Sequence, residues 1–241
     1  MATFVLVHGA FGSARSWRRL VPLLRAREHD VFAESLTGMG ERFHLGGPDT
    51  DLSTHVQDVI GIIEHNDLHD VILVCHSYGG MVITSVADRI PDRIAHLVYL
   101  DAMLPSDGEA CVDMEGGDEL ASLPAEDGWL LLLPDRPDAP AAPSRGHPVG
   151  TFTEKVHLTA PLEKGTFTRT YVKAGGSPQP PPEQRTGNFW NAAARVRDDA
   201  AWHYVELPFG HSLQNEAPEV VAGLLQQLAA NSDDGNTEAQ S

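Results

Sequence analysis

Apolar residues along this chain gather in short unbroken runs, separated by stretches in which they return every three or four positions, and the two patterns alternate from the first residues onward. The runs Thr3-Phe4-Val5-Leu6-Val7, Asp30-Val31-Phe32-Ala33, Val71-Ile72-Leu73-Val74 and 94–100 are rich in β-branched side chains and predict strands buried on both faces. Between them Trp17, Leu20, Val21, Leu23 and Leu24 fall at helical spacing, as do Val56, Val59, Ile60 and Ile63 after Asp51, and the residues after Gly79-Gly80. The same alternation returns with a strand at 168–173, a helix near 183–195, a strand at 202–207 and a last helix over about 217–229. Strand, helix and strand in this order predict an α/β fold: a mostly parallel sheet of about six strands with helices on both faces.

The texture changes over residues 105–165, where acidic residues and prolines (Pro134, Pro137, Pro140, Pro143, Pro148) surround an apolar patch, Trp129 to Leu133, without a clear period. This stretch predicts a lid inserted between two parts of one core, 1–104 and 166–230, with Trp129 and Leu131 on its apolar underside. The polar residues 231–241 predict a disordered tail. A length of 241 residues suits a single domain with an insertion better than two domains.

Charge narrows the partners. A net charge of −17 argues against nucleic acid and anionic membrane, which both demand a basic face, and leaves a small molecule as the expected partner and a homodimer open. No run approaches the roughly 18 apolar residues of a membrane span, and two cysteines, Cys75 and Cys111, make no disulfide framework, so a reducing cytoplasm is the expected location. The twelve histidines show no metal-ligand spacing, and no metal or organic cofactor is expected.

Chemistry concentrates at strand ends. Cys75-His76-Ser77-Tyr78-Gly79 joins a predicted strand to a predicted helix, the setting of a nucleophile elbow, with Cys75 in place of the usual first glycine. A serine hydroxyl is a weak nucleophile at neutral pH and needs a base of suitable pKa in reach, for which His211, after the last strand, is the candidate. An acyl-transfer transition state also needs amide donors for the developing oxyanion. Tyr78, after the nucleophile, and Ala10, in the glycine-rich turn His8-Gly9-Ala10-Phe11-Gly12, supply them, with Phe11 as a fallback amide and a pocket-lining side chain. His8 is expected to brace that turn.

These motifs, together with Leu97-Val98-Tyr99-Leu100-Asp101-Ala102 and Gly210-His211, resemble the α/β-hydrolase superfamily over nearly the whole chain to about residue 230. Within it they resemble the small lidded branch of plant methyl-ester esterases, hydroxynitrile lyases and related bacterial esterases. The resemblance implies a cofactor-independent serine hydrolase that cleaves a small, largely hydrophobic ester, thioester or lactone through an acyl-enzyme. In the plant members the triad acid follows the strand matching Tyr171-Val172-Lys173, and here that loop reads Ala174-Gly175-Gly176-Ser177-Pro178. The superfamily's second place for the acid is occupied by Asp101; Glu183 is the alternative. The lyases of this branch carry Thr and Lys where this chain has Gly9 and Ser212, which disfavours cyanohydrin chemistry. A non-hydrolytic enzyme of the same fold and a weakly catalytic small-ligand carrier are the remaining readings.

Overall fold

The computed structural model describes residues 1–114, 125–132, 146–176 and 178–238, the last eight by their backbone. Six parallel strands, β1 (Thr3–Val7), β2 (Asp30–Phe32), β3 (Val71–His76), β4 (Ile94–Leu100), β8 (Thr168–Ala174) and β9 (His203–Leu207), form the main sheet in the order β2-β1-β3-β4-β8-β9. Each strand of the predicted set is present, and the helices lie on both faces.

Period-two alternation divides each strand between two cores. Phe4 and Leu6 of β1, Ile72 and Val74 of β3, and Val98 and Leu100 of β4 pack with Trp17, Leu20 and Leu24 and with Val221 and Leu225. These belong to the first and last helices, α1 (Leu20–Arg25) and α7 (Pro218–Glu238). Val5, Val7, Leu73, Cys75 and Tyr99 face the other way, against α2 (Leu52–His65), α3 (Gly79–Arg89) and α5 (Asn188–Val196). The start of α2 is fixed by Asp51, whose carboxylate accepts from the Thr54 amide at 2.8 Å.

Residues 105–165 carry a 3₁₀ turn (Cys111–Asp113), three two-residue antiparallel strands, β5 (Ala125–Glu126), β6 (Leu130–Leu131) and β7 (His147–Pro148), and the short α4 (Gly150–Thr153). Strands of two residues are too short to print a period on the sequence. Leu133 and the prolines from 134 to 143 lie outside the described residues.

Two boundaries differ from the sequence expectation. The helix expected near 183–195 begins only at Asn188, after a 3₁₀ turn over Pro182–Gln184, because Pro180 to Pro182 cannot supply amide donors and Gly187 takes φ 92°. The polar stretch expected to be disordered instead continues α7 as far as Glu238; once a helix is nucleated, each further residue adds a backbone bond at little cost.

Candidate active site

Every residue of the candidate site stands at the carboxyl end of a parallel strand, where an open α/β sheet collects ligands. β3 ends at His76, and Ser77 follows with φ 54°, a left-handed conformation that a side-chain-bearing residue adopts only under constraint. The constraint is the crowding around the turn. A Cβ on Gly80 would lie 1.8 Å from the Met103 carbonyl oxygen, and the Met103 amide donates to the Ser77 carbonyl at 3.0 Å. α3 therefore starts at Gly79, one residue beyond the serine, and abuts the loop that follows β4.

That loop opens with Asp101, also left-handed at φ 43° and 2% exposed. Its carboxylate is fixed from three directions. Oδ2 accepts from His211 Nδ1 at 2.7 Å, while Oδ1 accepts from Lys173 Nζ at 2.7 Å and from the Ala174 amide at 3.2 Å. Burial opposes ionisation of Asp101, but the His211 hydrogen bond and the Lys173 charge outweigh it, and the carboxyl is held below the ordinary carboxylate range. Glu183, the other candidate acid, is exposed on the 3₁₀ turn over Pro182–Gln184.

His211 follows β9 on the segment between that strand and the short α6 (Leu213–Glu216). Its ring lies between His76 and Phe189, with centroids 4.5 and 4.6 Å away. His76 Nε2 donates to the His211 carbonyl at 2.9 Å and anchors its backbone. With Nδ1 bonded to Asp101, the ring presents Nε2 as the acceptor nitrogen. Its side chain keeps 41% exposure. Among the described residues neither Ser77 Oγ nor His211 Nε2 has a hydrogen-bond partner.

The turn after β1 runs from Gly9 to Gly12, closed by a 3.1 Å bond from the Gly12 amide to the Gly9 carbonyl, with Phe11 left-handed at φ 55°. A Cβ on Gly9 would meet the Cβ of Ser77 at 2.9 Å, so only glycine lets the turn approach the elbow. The two amides considered for this turn now separate. Phe11 N–H donates to His147 Nδ1 at 3.1 Å, whereas the amides of Ala10 and Tyr78 have no partner among the described residues. His8 Nδ1 donates to the Gly9 carbonyl and Nε2 accepts from the Leu36 amide; burial lowers its pKa to about 4 and keeps it a neutral brace.

Sequence reasoning passed over several of these contacts. His147 on β7 is fully buried, stacked on Phe152 at 4.4 Å and edge-on to Tyr78 at 5.1 Å. His55 sits on the inner face of α2, where its neighbours are apolar; it accepts from the Tyr78 hydroxyl and donates to the Thr37 carbonyl. The polar residue interrupting that apolar stripe was the available signal. Lys173 is 3% exposed, and its signal was a lysine following the apolar pair Tyr171-Val172 near the end of a strand. Of the expected pocket-lining residues, Phe11 is half-buried against His147 and Phe152; Trp129 is half-buried at the β5–β6 turn; Leu131 is buried in the core on the α2–α3 side, opposite His147 in the β6–β7 register.

A family model described as the alpha/beta hydrolase family matches residues 4–238. The chain belongs to the α/β-hydrolase family. Among its relatives is a carbendazim hydrolyzing esterase from a Nocardioides strain, 35% identical across 95% of this chain and 100% of that protein. Methylesterase 2 of Arabidopsis thaliana is 33% identical across 53% of this chain and 48% of its own length. Among solved structures, an extracellular α/β-hydrolase from a Paenibacillus species superposes with a TM-score of 0.78 at 23% identity, over 94% of this chain and 98% of that one. The hydrolase is of esterase type. No helix among the described residues is long and apolar enough to cross a membrane.

Proposed function

We propose that this hydrolase cleaves a small, largely apolar carboxylic ester through a Ser77 acyl-enzyme, with His211 as general base and acid, Asp101 as the residue that orients and charges it, and the Ala10 and Tyr78 amides as the oxyanion hole. The observation that carries the reading is the 2.7 Å bond from His211 Nδ1 to Asp101 Oδ2, made at the mouth of the sheet beside the strained Ser77 turn.

His211 Nε2 takes the Ser77 proton as Oγ adds to the ester carbonyl, and the electron pair of the C=O bond moves to oxygen, where the two amides receive it. Collapse of this intermediate breaks the bond to the alcohol oxygen, which leaves with the proton held by His211. Water then repeats the sequence: His211 takes its proton, the hydroxide adds to the acyl carbon, and the bond to Ser77 breaks with return of the proton to Oγ. The apolar side chains of Phe189, against the His211 ring, and Phe11, on the turn that carries the Ala10 amide, favour an apolar acyl or alcohol group.

The test is fluorophosphonate treatment of the pure protein with peptide mapping, alongside turnover of short-chain aryl esters and of carbendazim. Labelling at Ser77 that disappears in His211→Ala, with hydrolysis lost in Ser77→Ala, supports the reading. Ester turnover that persists in Ser77→Ala, or a folded protein that resists the label, overturns it.

A further inference from the structure

The next-to-last residue of β8 is a lysine whose ammonium points into the protein. The Lys173 side chain is 4% exposed; Nζ donates to Asp101 Oδ1 at 2.7 Å and to the Ala174 carbonyl at 2.6 Å, and lies 4.2 Å from the centroid of the Trp190 ring. An ammonium ion taken out of water is costly unless it is paired and hydrogen-bonded, and here both conditions are met on a single carboxylate. That carboxylate is the one bonded to His211 through its other oxygen. Lys173, Asp101 and His211 therefore form one chain of charge-assisted hydrogen bonds linking the ends of β8 and β4 to the segment after β9.

We infer that Lys173 is a positioning residue of this site: it holds Oδ1 so that Oδ2 is presented to His211, and its fixed positive charge limits how strongly Asp101 draws a proton onto the imidazole. The inference rests on the triad reading above. A buried aspartate with no second partner would favour the imidazolium more strongly than one whose far oxygen is paired with a cation. A cation on the far oxygen spreads the negative charge and moderates that field. The other polar groups facing the pair do not replace it. His76 on β3 is held neutral by burial; the Tyr171 hydroxyl donates to the Ala102 carbonyl; Arg185 lies beyond the Trp190 ring; Glu206 pairs with Lys173 in register on β9 and accepts from Tyr204; Glu216 accepts from the Gly210 amide.

The comparison is between the full-length protein and its Lys173→Met, Lys173→Gln and Lys173→Arg variants, read in two ways. One is the pH dependence of kcat/KM for p-nitrophenyl acetate. The other is NMR titration of ring-labelled histidine, with the His211 signal assigned by its loss in His211→Asn. Both neutral variants are expected to move the His211 titration midpoint and the acidic limb of the profile to higher pH by about one unit, and Lys173→Arg to move them back. Lys173→Gln keeps a donor of similar length and carries the comparison if Lys173→Met does not fold. A midpoint that is the same with and without the charge overturns the inference. A shifted midpoint in a protein that hydrolyses no ester supports the inference while sinking the esterase reading, so the two failures are distinguishable.

Discussion

His147, carried by the segment inserted after β4, accepts the Phe11 amide at 3.1 Å and so ties that insertion to the turn that carries the Ala10 amide. Phe11 occupies a left-handed position that glycine would fill without strain, and the hydrogen bond compensates for holding it there. Because Nδ1 accepts, the proton of the neutral ring resides on Nε2, which is buried and has no partner among the described residues. Burial also pushes the His147 pKa well down, so the ring stays an acceptor across the working pH range. The turn that carries the Ala10 amide is thus shaped from two sides, by His8 at the end of β1 and by His147 from the insertion.

Replacing His147 with Phe keeps the stack on Phe152 but strands the Phe11 amide. Stability should fall by less than the roughly 1–3 kcal/mol of a buried donor left unpaired, because the change also removes an Nε2–H that has no partner among the described residues. If the bond sets the turn, kcat should fall roughly 10- to 100-fold with KM changed much less, since the oxyanion contact tightens only in the transition state. Urea melts and ester kinetics on the same variant separate the effects. Reduced stability with unchanged kcat would show that His147 serves packing alone.

The two carboxylates separate cleanly in mutants. Asp101→Asn should lower kcat by several decades, on the order of 10⁴, because the amide cannot enforce the His211 tautomer or balance the imidazolium. Glu183→Gln, on the exposed turn over Pro182–Gln184, should stay within about twofold. Steady-state kinetics of both variants on one ester decide the matter: similar small losses would remove Asp101 from the triad.

Much of this arrangement was legible in the residues. The strand order of apolar runs, the Ser77 turn between a strand and a helix, and the positions of Asp101 and His211 after strands all follow from local pattern, because each is encoded within a few residues. What escaped was carried by contacts between distant segments. His147 reaches Phe11 across 136 positions and Lys173 reaches Asp101 across 72, and no local period signals either. The loop after β8 did show that a carboxylate was missing. Its complement, a lysine at the end of that strand serving an aspartate on the neighbouring one, became visible only once β4 and β8 were paired.

Gly9 offers a steric test. A methyl there would sit 2.9 Å from the Ser77 Cβ and 3.0 Å from His76 Nδ1, neither of which is the far end of a flexible side chain. Gly9→Ala should cost about 1–3 kcal/mol through overpacking, and should lower kcat by at least tenfold as turn and elbow are pushed apart. Crystallography of the variant would show Ser77 displaced. Wild-type kinetics would mean that the turn yields freely and that its close approach is not needed for the reaction.

Acid should destabilise this protein through its buried histidines before the Asp101 carboxylate titrates. Burial lowers His8, His55 and His96 to about 4 and His76 to about 3, and holds His147 well below the ordinary imidazole range, against about 6.5 in an unfolded chain. Between these values the unfolded state holds a proton that the folded state refuses, so stability is complete above roughly pH 6.5 and falls as pH drops toward 4. Each such histidine contributes a loss of up to about 1.4 kcal/mol per pH unit across its interval. Asp101, whose folded pKa is depressed, contributes stability above its unfolded value near 4 and loses it only at lower pH. Urea denaturation at a series of pH values should therefore show the midpoint falling steeply between pH 6.5 and 4.5, with an uptake of more than one proton on unfolding. His96→Gln, remote from the reacting groups on β4, should reduce that uptake by about one while leaving ester turnover unchanged. A midpoint that is flat from pH 7 to 5 would show that these rings are protonated in the fold.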